Sequence, residues 1–108
     1  MRKIIFITLS LFTNYLYASP TYLICIDTMP INGIYRKLPV VFDESKKTIQ
    51  ISGVDGSITS INKTSIIADA FGFTHVIDRI SSQMTVFQPS DTKYQFIFNC
   101  SLTKKTEF

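Results

Sequence analysis

The chain has 108 residues, 45% of them apolar and 13% aromatic, with no tryptophan and a formal net charge of +3. Two of the eleven basic side chains, Arg2 and Lys3, fall in an amino-terminal stretch that reads as a removable leader. Without them nine basic residues face eight acidic ones, a net of +1, which excludes a nucleic-acid footprint, and the remaining length suits one domain.

The leader is expected over residues 1–18. Arg2-Lys3 is followed by a mostly apolar run over residues 4–12, then by Leu16-Tyr17-Ala18, the layout of a secretory signal peptide. The apolar run is about half of the roughly twenty residues needed to span a bilayer. Ser19 rather than Cys follows Ala18, which argues against a lipoprotein. The mature chain, residues 19–108, is therefore expected in the periplasm or outside the cell, with no integral membrane segment.

Strand-type residues dominate that chain. Residues 21–27 (TYLICID) read as a strand covered on both sides, because both of its faces are apolar. Pro30 and Asn32-Gly33 mark a loop over residues 28–36, before a strand over residues 38–42. Residues 48–52 alternate cleanly, Ile49 and Ile51 against Thr48, Gln50 and Ser52. Residues 53–56 (GVDG) are expected to turn, because Asp-Gly tolerates positive φ. Residues 57–61 and 65–70 are weaker strand candidates. A hairpin follows, with strands over 75–80 and 83–87 around Ser81-Ser82. In residues 94–102, Tyr94, Phe96, Phe98, Cys100 and Leu102 share one face.

Seven or eight short strands separated by turn signals predict an all-β domain, a small antiparallel barrel or half-open sandwich. Cys25 and Cys100 are the only cysteines. In an oxidising compartment they read as one disulfide, which would place the first and last strands side by side. With a single histidine and no CxxC, no metal site is expected.

Potential chemistry gathers around the only histidine, His75, with Asp78 and Arg79 beside it. In an extended strand, residues 75, 77 and 79 share a face and Asp78 points away, so a His–Asp dyad is disfavoured. His75 is expected on the surface, and Arg79 in an ion pair with an acid from a neighbouring strand. No GxSxG pattern surrounds a serine, and no clustered glycines could cradle a phosphate. The candidate interaction surface comprises His75, Asp78, Arg79, Asn32, Arg36 and Asp55. No catalytic residues and no cofactor are expected.

Cys25, the segment VVFDESKKTIQI (40–51), the segment HVIDRISSQMTV (75–86) and Cys100 together resemble a group of short exported bacterial proteins. In that group an FDE turn and an IDR hairpin lie between two cysteines. The resemblance implies export and fold, with no activity attached. Small periplasmic lysozyme inhibitors share the size and the barrel plan, but their Ser-Gly loop is absent here. The functional expectation is an exported, non-enzymatic, monomeric module that binds an envelope or extracellular protein, in the manner of an inhibitor. The alternatives are a small barrel holding an apolar ligand and a minor hydrolase using His75. A cavity above about 300 Å³ lined by the aromatic set would favour the ligand.

Overall fold

The computed structural model describes residues 20–104, so the expected leader lies outside the described residues. Within them are eight strands: β1 (Thr21–Asp27), β2 (Lys37–Asp43), β3 (Thr48–Ile51), β4 (Val54–Ile61), β5 (Ser65–Ala70), β6 (Phe73–Asp78), β7 (Gln83–Gln88) and β8 (Asp91–Leu102). Each pairs antiparallel with the next, and β8 returns to β1, closing an up-and-down barrel. Closure leaves no strand edge unpaired. No helix of the described residues is long and apolar enough to cross a membrane.

The alternation of each strand supplies the core. Leu23, Cys25, Val40, Phe42, Ile49, Ile51, Ile66, Ala68, Ile77, Met84, Val86 and Phe98 point inward and are buried. The outer side of β1 is less covered than its apolar sequence suggested, since Ile26 remains 41% exposed. On β8 the apolar face is buried only in its middle. Phe98 and Cys100 lie inside, whereas Tyr94 and Leu102, near its two ends, are exposed.

Cys25 and Cys100 are directly opposite in the β1–β8 ladder and form a disulfide, with Cα atoms 4.0 Å apart. The ladder explains the closeness. Thr28 donates to the Ile97 carbonyl and Thr103 to that of Tyr22. Counting inward by alternation from either bond puts the cysteine pair at a non-hydrogen-bonded site, where facing side chains approach most closely. Bridges of this kind persist in oxidising compartments, with which this one is compatible.

Two expectations about turns are corrected. Residues 53–56 are not a turn: the chain reverses at Ser52-Gly53, both at positive φ (52° and 81°), and Asp55 and Gly56 belong to β4. Gly56 is needed for space. A Cβ there would meet the Asp69 carbonyl oxygen at 2.8 Å and the Ala70 Cβ at 3.0 Å, so β4 and β5 pack closely only without a side chain. The hairpin expected around Ser81-Ser82 is also shifted. Its strands are Phe73–Asp78 and Gln83–Gln88, leaving Arg79 and Ile80 in the turn.

The two ends of the barrel differ in turn chemistry. At the end where β1 begins and β8 finishes, called here the base, side chains cap the reversals. Asp43 accepts the N–H groups of Ser45 and Lys46, Asn62 those of Thr64 and Ser65, and Asp78 those of Ile80 and Ser81. Such Asx turns satisfy backbone donors that no strand can reach. The opposite end, the mouth, carries the residue 28–36 loop, the Ser52-Gly53 and Phe71-Gly72 reversals, and the turn between β7 and β8.

Candidate functional site

The inner wall leaves an open recess of about 320 Å³ at the mouth. Its apolar lining comes from Leu38, Ile51 and Val86, together with Phe71, Phe73, Phe96 and Phe98. Its polar lining is limited to Arg36, Ser52 and His75. A mostly apolar hollow with a few converging polar groups is the usual form of a small-molecule site. A smaller recess of about 220 Å³ lies at the base, and a larger groove of about 530 Å³ runs over the outside of β3. That groove includes exposed polar side chains such as Lys46, Thr48 and Gln50, and water serves those groups as well as a ligand would.

His75 is corrected from the surface to the interior, with 3% of its area exposed. It stands between Ala68 of β5 and Val86 of β7 in the two ladders, and the small Ala68 leaves room for the ring. Its Nδ1 lies 3.2 Å from the Phe73 carbonyl. Burial lowers its pKa below the usual 6.5, although the Phe73 carbonyl, the charge of Asp69 and the Ala68 carbonyl partly offset that effect. The ring is therefore neutral near pH 7. The parity of β6 could have revealed this: Thr74 and Asp78 mark the outer face, which leaves Phe73, His75 and Ile77 inside.

Asp27 and Arg36 form the polar rim of the mouth. Asp27 closes β1 and is buried, yet its carboxylate is fully engaged. One oxygen accepts the backbone N–H of Arg36 and its Nε at 2.8 Å each, and the other accepts Nη2 at 3.0 Å. These bonds hold the Asp27 pKa below the ordinary carboxylate value, against the opposing effect of burial. The Arg36 guanidinium lies over the Phe96 and Phe98 rings, 4.8 and 5.2 Å from their centroids. It is thus held by a carboxylate at one edge and by aromatic faces beneath, while 40% of the side chain remains exposed. The nine-residue separation of Asp27 and Arg36 gives no periodic signal, and sequence reasoning did not pair them.

Phe71 forms a lip. It sits at φ +60° ahead of Gly72 and is 54% exposed. The first position of a two-residue hairpin loop normally carries Asn, Asp or Gly, and a bulky residue there is strained. More apolar side chains surround the mouth. Met29, Ile34 and Tyr35 of the 28–36 loop are 74%, 65% and 57% exposed.

The six residues of the expected interaction surface do not meet. Arg36 lines the mouth, Asn32 lies in the loop above it, and Asp55 sits on the outer wall bonded to Gln50. Asp78 and Arg79 are at the base. There Asp78 caps its own turn, which lowers its pKa through the Ser81 and Ile80 amides. Arg79 does form an ion pair, but with Glu44 in the β2–β3 turn rather than with a strand acid. It also donates to the Asn62 carbonyl, tying three turns together. Among the described residues no group of three or more metal-ligating side chains occurs. No family profile, curated protein or solved structure matches the chain.

Proposed function

We propose that this protein is an exported, non-enzymatic binding barrel that takes an apolar ligand at its mouth. The observation that carries the reading is the 320 Å³ aromatic-lined recess, whose size reaches the range of ligand sites. The leader-like residues 1–18 and the Cys25–Cys100 bridge support export to an oxidising compartment. A non-catalytic role is supported by the surroundings of His75. No carboxylate lines the recess with it, its Nδ1 is directed at a backbone carbonyl, and Asp78 stands at the opposite end of the barrel.

Toluene tests the reading, since burying its apolar surface against the aliphatic and aromatic lining is favourable. Saturable NMR shifts are expected at Leu38, Ile51, Val86 and the mouth phenylalanines, and they should vanish in Val86→Phe, which fills the recess. Toluene shifts scattered over the surface, or none at all, refute the reading.

A second reading, an envelope or extracellular protein as partner, is favoured by the exposed Met29, Ile34 and Tyr35, because apolar rims commonly mark protein contacts. Capture from an envelope extract should then depend on these three side chains and fail with their serine variants.

A further inference from the structure

The polar groups of the mouth point to the head of the ligand, an inference that rests on the mouth being a ligand site. Arg36 is the one charged side chain in the lining. Of its five N–H donors, Nε and one Nη2 hydrogen go to Asp27, and Nη1 enters none of these bonds. Donors therefore remain, but the charge is matched by a carboxylate in direct contact. His75 beneath is neutral near pH 7, and the rest of the lining is apolar apart from Ser52. A carboxylate entering this recess would give up its hydration beside a cation that is already compensated, which is strongly unfavourable. A carbonyl gives up far less and can still accept an N–H held in place by Asp27 and the two rings.

We infer that the mouth selects an uncharged apolar molecule bearing a single carbonyl acceptor, such as a short ketone, ester or lactone, over the corresponding carboxylic acid. Asp27 is then a positioning residue that sets this preference by cancelling the charge of Arg36.

The probes are 2-heptanone, heptanoate and toluene, titrated by NMR near pH 7 against the full domain. In the wild type, 2-heptanone is expected to bind at the mouth at least about tenfold more tightly than heptanoate. Asp27→Asn keeps the shape but frees the charge of Arg36, so heptanoate should gain about tenfold while 2-heptanone changes little. The double variant Asp27→Asn/Arg36→Leu leaves no buried charge unpaired. It should weaken 2-heptanone about tenfold relative to toluene, whose shifts at the mouth report that the recess is intact. Heptanoate binding as tightly as 2-heptanone in the wild type overturns the inference while the ligand-site reading stands. So does an unchanged 2-heptanone affinity in the double variant. If toluene does not reach the mouth, the reading falls, and the inference with it.

Discussion

Gly56→Ala is the sharpest test of how β4 and β5 close the barrel. The glycine is not among the residues at positive φ, so alanine introduces no backbone strain, and any loss comes from the added methyl. That methyl would stand 2.8 Å from the Asp69 carbonyl oxygen, 3.0 Å from the Ala70 Cβ and 3.2 Å from the Ile49 Cγ2. The oxygen is fixed in the β4–β5 ladder, the Ala70 Cβ cannot rotate away, and Ile49 is 2% exposed. Overpacking of this kind costs about 1–3 kcal/mol. The reduced entropy of the unfolded chain returns about 0.4–1 kcal/mol. Because two of the three contacts cannot move, the upper half of the overpacking range applies, and the expected net loss is about 1–2.5 kcal/mol, or a fall of roughly 4–20 °C in Tm for a domain of this size. Thermal unfolding followed by circular dichroism, with urea midpoints alongside, measures it. A Tm within about 1 °C of wild type would refute the reasoning and mean that the strands can separate there without loss.

His75 gives a pH prediction. Its folded-state pKa lies below the unfolded 6.5, so the unfolded chain binds the proton first on acidification. The stability this residue contributes is present above about pH 6.5 and is lost as the pH falls through the folded-state value. Urea midpoints across that window should decline in the wild type and stay flatter in His75→Leu; parallel curves would place the ring in water. The disulfide closes a sequence separation of 75 residues, which the chain-entropy relation values at about 4 kcal/mol. Thiol counting on the unfolded, unreduced chain should find no free thiols, and the Cys25→Ala/Cys100→Ala midpoint should match that of the reduced wild type.

The strand pattern and the closure were legible because both rest on local chemistry. Alternation at residues 48–51 and 96–100 marks faces directly, and two cysteines near the ends of the domain, read as one disulfide, fix which strands meet. The failures share a physical cause. Asp55-Gly56 has the composition of a turn, but the glycine serves a contact with β5 that no local window contains. The reversal instead uses Ser52, an ordinary residue at positive φ. His75 was assigned by residue type to the surface, although the parity of β6 put it inside. The mouth was hardest to foresee. Phe71, Phe73, Phe96 and Phe98 come from the β5–β6 reversal and two strands, and their spacing by two is shared with a filled core. Only the register of the closed barrel shows that Phe73 and Phe96 reach the end of the barrel without sealing it.

An eight-stranded barrel is just wide enough for side chains to fill or to hold one small ligand. Here the buried core fills the middle, so space is left only at the ends, and the two ends are unequal. The base gathers the start of β1, the finish of β8, three side-chain-capped turns and the Arg79 contacts with Glu44 and Asn62. That exposed ion pair is worth at most about 1 kcal/mol, but with the capped turns it ties the base reversals together, although Ile80 and Leu102 stay exposed there beside the smaller recess. At the mouth the reversals are not tied to one another in this way. Its reversals are two-residue turns, one of them carrying a strained phenylalanine, and its cation is engaged by Asp27 instead of bridging loops. A fold optimised for stability alone would place Asn at position 71 and carry fewer apolar side chains on the 28–36 loop. Both departures occur at the same end of the barrel, while the chain enters β1 and leaves β8 at the other. Their coincidence is the structural argument behind proposing the mouth as the ligand site.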